Sequence, residues 1–171
     1  MKDFVFREAW PIDVDAIMEI IDYARCRMLD EGKQQWDEHY PLRKDIEADI
    51  AARHGMVLCM AGRVEAYGAV IFGEEPAYRH IGKGRWLSEQ PYAEVHRLAV
   101  SQRQRQKGLG ILMMQQVEEM AHRRGVYSIK IDTNFDNTAM LHLLKKMHFT
   151  YCGEVNYSRG TRKAYEKLLS D

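Results

Sequence analysis

Several classes of protein are disfavoured by what this sequence of 171 residues lacks. Basic and acidic residues balance at 25 each, so no net charge favours binding to nucleic acid or to an anionic membrane. No apolar run approaches the length of a membrane span, and residues 1–8 include acidic side chains where a signal peptide needs an apolar core. We therefore expect a cytoplasmic protein with neither nucleic-acid nor membrane partners.

The sequence also lacks the patterns of a metal site. The three cysteines, Cys26, Cys59 and Cys152, have no metal-type spacing, and the seven histidines form no H-x-x-x-H pair. An odd number of cysteines fits a reducing compartment in which the thiols pack as small apolar groups. We expect no bound metal.

What the sequence does contain is an alternation of strand and helix patterns, without linkers or internal repeats. Strands are predicted at 4–8, 56–61, 64–72, 92–100, 127–133, 149–156 and 162–168. Helices are predicted over about 14–28, 42–53, 108–124 and 138–147, with Asp13 as an N-cap and loops at 33–41 and 73–91. This order predicts a single α/β domain over residues 1–171, with a mixed, twisted β-sheet and helices on both faces.

The most informative segment runs from Val100 to Gly110 and reads Val-Ser-Gln-Arg-Gln-Arg-Gln-Lys-Gly-Leu-Gly. It follows an apolar strand and opens an amphipathic helix, whose first N–H groups form an anion site at the positive end of the helix dipole. Gly108 and Gly110 let a bulky anion approach the main chain, and Arg105 and Lys107 add positive charge. We expect the bound anion to be a pyrophosphate. The segment matches neither the P-loop nor the dinucleotide fingerprint, so an ordinary strand–helix turn with solvated basic residues is the alternative.

The same residues resemble a known family. Arg105-Gln-Lys-Gly108-Leu-Gly110 is similar to the R/Q-x-x-G-x-G/A motif of the GNAT superfamily of acyl-CoA N-acyltransferases. A second block, from Asn137 through an apolar helix to a strand, is also similar, with His148 where the family has a glycine that favours positive φ. The resemblance covers nearly the whole chain and is closest over 93–156. It implies acetyl-CoA as co-substrate, and parallel strands 92–100 and 127–133 that splay apart to admit the pantetheine arm.

The resemblance further implies which residues contact acetyl-CoA. The end of the strand would bind the pantetheine arm and the glycine loop the pyrophosphate, through Leu98, Ala99, Val100, Arg105, Gln106, Lys107, Gly108, Leu109 and Gly110. Strand alternation would place Leu98 and Val100 on the same side as Glu94 and His96. Asn137 has two interpretations that can both hold, as an N-cap and as a hydrogen-bond partner of the pantetheine arm.

Acylation of an amine requires removal of a proton, because an alkylamine is mostly protonated near neutral pH. Glu94 and His96 are the candidate bases: Glu94 matches the place of a basic glutamate in several GNAT enzymes, and His96 titrates near physiological pH. Arg97, facing the opposite way, is expected to form a structural ion pair. Many family members protonate the leaving thiolate with a tyrosine where this chain has Leu144. A thiol of low pKa can also leave as the thiolate; otherwise the candidate donors are Tyr151, Tyr92 and His142.

The acceptor is the least defined part of the prediction. Loops 30–41 and 73–92 carry large aromatics that either wall a site for a cationic amine, with Asp37 and Glu38, or anchor the loops: Trp36, Tyr40, Tyr78, Trp86 and Tyr92. We expect an acetyl-CoA-dependent N-acetyltransferase that acylates a primary amine of a small molecule, amino acid or peptide by direct transfer in a ternary complex. The alternatives are a non-catalytic acyl-CoA-binding or sensor module and a protein-acylating regulator. Homodimer formation stays open.

Overall fold

The computed structural model describes residues 3–170, which form four α-helices and seven β-strands. The helices are α1 (Val14–Asp30), α2 (Arg43–Ala51), α3 (Leu109–Arg123) and α4 (Thr138–Lys146). The strands are β1 (Phe4–Glu8), β2 (Gly55–Met60), β3 (Arg63–Phe72), β4 (Ala93–Val100), β5 (Ser128–Thr133), β6 (Thr150–Tyr157) and β7 (Gly160–Leu168). Every predicted helix and strand is present, and the predicted α/β class is confirmed.

The strands follow the order β1-β2-β3-β4-β5-β7-β6 in a mixed sheet. β4 and β5 pair in parallel, whereas β1–β2, β2–β3, β5–β7 and β6–β7 are antiparallel. The parallel register joins Ala93 to Ile129 and Glu94 to Lys130, at the beginning of β4. Within residues 3–170, every helix falls short of the length and apolarity that crossing a membrane requires.

The chain divides into two compact units, neither of which is continuous in sequence. The first contains residues up to Val70 together with His96–Gln116. The second contains Ile71–Val95 together with the residues from Val117 onward. β3, β4 and α3 each contribute residues to both units.

The core of the first unit contains one face of α1 and side chains of β2 and β3. Apolar residues recur along α1 at helical spacing, which is why one side of this helix is buried. The buried residues of this core are Ala9, Val14, Ile17, Met18, Ile20, Ile21, Trp36, Ile46, Val57, Cys59, Val64, Tyr67 and Ala99.

Asp13 precedes α1, as predicted, but its carboxylate does not cap that helix. It accepts hydrogen bonds from Arg7 at 2.8 and 3.0 Å and from the Trp10 N–H at 2.7 Å. Asp13 therefore holds the predicted N-cap position but does not cap α1 with its side chain, because Arg7 on β1 and the N–H of Trp10 occupy the carboxylate.

In the second unit, the predicted 73–91 loop is more ordered than its glycines and prolines suggest. It contains a 3-10 helix over Pro76–His80, and Gly82 and Glu154 of β6 exchange two main-chain hydrogen bonds at 2.8 Å. A Cβ on Gly84 would lie 2.0 Å from the carbonyl oxygen of Cys152, so this position requires glycine. We refer to residues 73–92 as the cover loop, because its contacts bury one face of β5, as described below.

Candidate active site

The segment that follows β4 is fixed at its first residue. Ser101 is buried; its N–H donates to the Glu65 carbonyl oxygen at 2.8 Å, and its hydroxyl donates to the Glu65 carboxylate. Arg103 Nε donates to the same carboxylate at 3.3 Å. Sequence analysis missed Glu65, although a carboxylate in an otherwise apolar strand was an available signal. The loop after β4 therefore starts from an anchored point.

The main chain between β4 and α3 turns twice through the left-handed region. Gln106 and Gly108 have φ values of 60° and 78°. A Cβ on Gly108 would meet nothing within 4 Å, so the space beside this residue is open. α3 begins at Leu109, and the N–H groups of a first helical turn have no intrahelical acceptor. This open approach to unpaired N–H groups fits a phosphate-sized anion, as expected from the sequence.

The basic side chains of this loop differ in whether they already form hydrogen bonds or ion pairs within the protein. Lys107 Nζ donates to the Arg103 carbonyl oxygen at 2.8 Å, and the Arg103 guanidinium is paired with Glu65. Arg105 is half-buried, and among the described residues its guanidinium has neither a hydrogen bond nor an ion pair. Of the two basic residues predicted to bind phosphate, Arg105 is the one whose donors are available.

Arg97 forms the structural ion pair expected from the sequence. Its Nε and Nη2 atoms donate to the Asp49 carboxylate at 2.7 and 2.5 Å, and Nη1 donates to the Tyr40 hydroxyl at 2.8 Å. Burial lowers the pKa of Arg97, but the bonds to Asp49 and Tyr40 outweigh burial and raise it. The Tyr67 hydroxyl donates to the same carboxylate at 2.5 Å. Asp49 thus connects α2 to Tyr67 on β3 and to Arg97 on β4.

The backbone at Arg97 corrects one prediction about β4. Its φ of 55° lies in the left-handed region, which a non-glycine residue rarely occupies within a strand. The expectation that Leu98 and Val100 share a side with residues 94 and 96 assumed unbroken alternation, and Arg97 interrupts it. Beyond Arg97, Ala99 is buried and its two neighbours are half-buried.

Glu94, the first candidate base, belongs to a row of three charged residues. Lys130 lies opposite Glu94 in the β4–β5 pair and opposite Glu166 in the β5–β7 pair. Partners in register carry their side chains on the same face of a sheet. The three residues are 2%, 4% and 0% exposed, so a cation lies between two carboxylates in the interior of the second unit. A carboxylate oxygen of Glu75 lies within 4.8 Å of one of Glu94. His96, the second candidate base, follows on β4 and is half-buried.

The Lys130 ammonium lies against two aromatic rings of the cover loop. Its Nζ atom is 4.4 Å from the ring centre of Trp86 and 4.2 Å from that of Tyr92, within cation–π range. Burial lowers the pKa of Lys130, opposed by attraction to Glu166 and Glu94. The pKa of Tyr92 is raised first by burial and then by the negative charge of Glu94. Tyr92 is therefore electrostatically coupled to the candidate base.

Glu166 holds the same loop by hydrogen bonds. Its carboxylate accepts from the N–H groups of Leu87 and Ser88 at 2.6 and 3.3 Å, and from the Ser88 hydroxyl at 2.6 Å. The Ser128 hydroxyl donates to it at 2.7 Å. Neither Lys130 nor Glu166 was singled out from the sequence, since their meeting depends on strand register.

The large aromatics make contacts that anchor their loops. In the cover loop, the Tyr78 hydroxyl donates to Asp132 at 2.7 Å, and Trp86 Nε1 donates to the Tyr78 carbonyl oxygen at 2.8 Å. In the first unit, Trp36 is buried in the core and Tyr40 binds Arg97.

α4 and the residues around it agree with two predictions. Asn137 Oδ1 accepts from the Met140 N–H at 3.2 Å, so this asparagine is an N-cap. His148 has a φ of 62°, as expected where the family has glycine. Leu144, at the place of the family tyrosine, is completely buried.

The three candidate proton donors have different surroundings. Tyr151 is 48% exposed and contacts the Tyr165 ring edge-on, and His142 is exposed on α4. Tyr92 is half-buried and precedes Glu94 by two residues. Of the three, Tyr92 is the one beside the candidate base.

Comparisons with known proteins agree with this geometry. Residues 17–149 match the model of the acetyltransferase (GNAT) family, and no curated protein sequence matches the chain. The crystal structure of a GNAT-family acetyltransferase from Streptococcus agalactiae 2603 has a TM-score of 0.91 at 34% identity, covering 98% of this chain and 96% of that one.

Two more distant structures share the fold. A GNAT-family acetyltransferase from Listeria monocytogenes 4b F2365 is 18% identical, with a TM-score of 0.76 over 97% of this chain and 95% of that one. The protein yncA from Salmonella typhimurium, solved with its cofactor acetyl-CoA, is 19% identical, with a TM-score of 0.68 over 98% and 95% of the two chains. The family match includes both the glycine loop and the α4 block. The chain belongs to the acetyltransferase (GNAT) family.

Proposed function

We propose that this chain is an acetyl-CoA-dependent N-acetyltransferase, acting as one domain over residues 1–171 in the cytoplasm. It transfers the acetyl group directly to a primary amine of a small molecule, amino acid or peptide in a ternary complex. The observation that carries the proposal is β4 itself. This strand bears a buried carboxylate, Glu94, near its start, and leads into a loop whose open Gly108 exposes the first turn of α3.

The proposed acetyl-CoA contacts divide between main chain and side chains. The N–H groups from Gln106 to Gly110 and the guanidinium of Arg105 bind the pyrophosphate, the former because they lie at a helix start. Lys107 contributes less, because its ammonium is already bound. Main-chain groups of Leu98, Ala99 and Val100, with the Asn137 amide, bind the pantetheine arm.

The chemistry assigned to Glu94 is proton removal. Its carboxylate takes a proton from the acceptor ammonium, directly or through water, and the neutral nitrogen attacks the thioester carbonyl carbon. The C–S bond breaks and the acetyl group stays on nitrogen. The nitrogen loses its second proton, the departing thiolate takes up one proton, and Glu94 releases the other to solvent. His96 is the alternative base, since it follows Glu94 on β4 and an imidazole can accept a proton.

The charges around Glu94 favour a cationic acceptor. A second carboxylate, that of Glu75, lies within 4.8 Å. Lys130 offsets one of these charges, but Glu94, Glu75 and Glu166 together leave the cluster net negative. A net negative charge attracts an ammonium group more strongly than a neutral nucleophile, so an amine is favoured over an alcohol.

The test is an assay of free thiol release from acetyl-CoA with a panel of amines, amino acids and peptides. Thiol and acetylated amine should form in equal amounts. Glu94→Gln should lower kcat by roughly 100-fold or more while acetyl-CoA affinity stays near that of the parent, with partial recovery at high pH where the amine is already neutral. If His96→Ala behaves in this way and Glu94→Gln does not, the two roles are exchanged.

The sensor alternative has its own support in Leu144, which replaces the usual tyrosine and is buried. If calorimetry shows tight binding of acetyl-CoA but no amine leads to thiol release, the proposed enzymatic activity is rejected in favour of a sensor.

A further inference from the structure

Lys130 is a buried charge that the reaction proposed above does not use. Removing an ammonium group from water is unfavourable unless other charges and polar groups replace the water. Here the replacement is Glu94 on one side, Glu166 on the other, and the rings of Trp86 and Tyr92. An apolar side chain of similar length would occupy the position without this cost. The cost of burying this charge suggests that the ammonium group has a function.

One consequence of the charge is mechanical. Trp86 and Tyr92 lie at either end of the last part of the cover loop, and Nζ of Lys130 contacts both rings. Between them, the N–H groups of Leu87 and Ser88 are bound to Glu166, the strand neighbour of Lys130. The chain then passes directly from Tyr92 into β4 and Glu94. The end of the cover loop is thus held by the same residue that faces the candidate base.

The other consequence is electrostatic. The titratable groups that face Lys130 are Glu94 on β4, Glu166 on β7, Cys152 on β6, and Glu89 and Tyr92 of the cover loop. Glu94 also has Glu75 within 4.8 Å and His96 two residues further along β4. A positive charge beside Glu94 opposes the repulsion from the second carboxylate.

We propose that Lys130 is a positioning residue of the acyl-transfer site: its ammonium fixes the 86–92 part of the cover loop on the sheet and balances the negative charge of Glu94. The electrostatic half rests on the proposed function, in which Glu94 is the base. The mechanical half does not depend on it.

The electrostatic half is tested with Lys130→Met and Lys130→Arg. Without the positive charge, neighbouring carboxylates hold their protons to higher pH, so the acid limb of the kcat/KM profile for the amine should move upward by about one pH unit. At neutral pH, kcat should fall roughly 10- to 100-fold, while KM for acetyl-CoA should stay within about twofold. Lys130→Arg should keep the acid limb of the parent. Coincident profiles for Lys130→Met and the parent would overturn this half.

The matched control is Lys163→Met. Lys163 lies on β7, is half-buried, and places Nζ 5.3 Å from the Phe135 ring centre, so it also contacts an aromatic ring. It has no place in the proposed machinery, and the kinetics should match those of the parent. Both substitutions remove one lysine, so their tryptic peptides can be compared directly.

The mechanical half is tested by limited trypsin digestion, which needs no catalytic activity. Arg85 is exposed in the cover loop, next to Trp86. Cleavage after Arg85 should be several-fold faster in Lys130→Met than in the parent or in Lys163→Met. Cleavage at the parent rate would overturn this half. If the parent acetylates no amine, the proposed function fails, but this digestion still decides the positioning role.

A second variant separates the two roles. Trp86→Leu removes one ring and leaves the ammonium in place, so it should speed cleavage after Arg85 without moving the acid limb. An acid limb that moves as far as in Lys130→Met would show that loop position, not charge, controls the profile. Should Lys130→Met fail to fold, Lys130→Gln, which is neutral but polar, takes its place with the same expectations.

Discussion

Arg97 and Asp49 form a two-point ion pair inside the first unit, with N···O distances of 2.7 and 2.5 Å. The side chains are 14% and 8% exposed, so each charge depends on the other for the interactions that water would otherwise provide. The pair also accompanies the left-handed φ of Arg97, which bends β4 between the candidate bases and the residues assigned to the pantetheine arm.

Breaking this pair on one side should be costly. Arg97→Met is expected to lower the free energy of unfolding by about 3 kcal/mol, because Asp49 is left buried without its cation. The double variant Arg97→Met, Asp49→Leu should lose less than the sum of the two single variants. Urea denaturation measures all three. Arg43→Met is the control, since its ion pair with Asp15 is at the surface and should contribute little to stability; equal losses for Arg97 and Arg43 would contradict the assignment.

The glycine loop predicts an unequal contribution from its two cations. Arg105→Ala should weaken acetyl-CoA binding by about 1.5–3 kcal/mol through loss of charge-assisted phosphate bonds. Lys107→Ala should weaken it by less than about 1 kcal/mol, because the Lys107 ammonium is bound to the Arg103 carbonyl. Gly108→Ala should also weaken binding, since a Cβ enters the open space beside the helix start. Calorimetry compares the three, and the reverse order for Arg105 and Lys107 would reject the phosphate role of Arg105.

Leu144 has no proton to donate, so any protonation of the leaving thiolate by a side chain must come from another residue. Tyr92→Phe keeps the ring over Lys130 and removes only the hydroxyl. If Tyr92 is the donor, kcat should fall roughly 10-fold or more with acetyl-CoA affinity unchanged. Tyr151→Phe, at an exposed ring, is the matched comparison and should leave kcat unchanged. Parent-like rates for both variants in the thiol assay would indicate that the thiolate leaves unaided.

The ion pair of Asp13 predicts a pH dependence of stability. The hydrogen bond from Arg7 lowers the pKa of Asp13, against a smaller opposing effect of burial. A carboxyl whose pKa is lower in the folded state stabilises the fold above its unfolded pKa, and that stabilisation is lost as pH falls through the folded value. Asp13→Asn should therefore be less stable at pH 7 and lose less stability between about pH 5 and pH 2 than the parent.

Urea midpoints across this pH range measure the effect. Asp15→Asn is the control, because the Asp15 side chain is 89% exposed. Parallel pH curves for Asp13→Asn and the parent would contradict the role of the Arg7 pair.

Sequence reasoning succeeded where structure depends on local periodicity. The helices and strands, the positive φ of His148 and the cap at Asn137 all follow from residues close together in the chain. It failed for Arg97, since a pattern of alternation gives no sign of a left-handed residue within the strand or of a partner as distant in sequence as Asp49.

The row of charged residues across β4, β5 and β7 could not be predicted from the sequence for the same reason. Glu94, Lys130 and Glu166 are each separated by more than 30 positions, and only the strand register brings them together. Lys130 stands between Ile129 and Ile131, and Glu166 between Tyr165 and Lys167, so both resemble residues on the exposed side of a strand. They are buried because the cover loop, which the sequence presented as irregular, packs over them.

Burial of Lys130 has a chemical consequence for a protein proposed to handle a reactive thioester. Only 4% of Lys130 is exposed, and the rings of Trp86 and Tyr92 lie against its nitrogen, so a thioester has little room to approach that atom. We therefore expect the cover loop to make Lys130 a poor target for acetylation by the protein's own co-substrate.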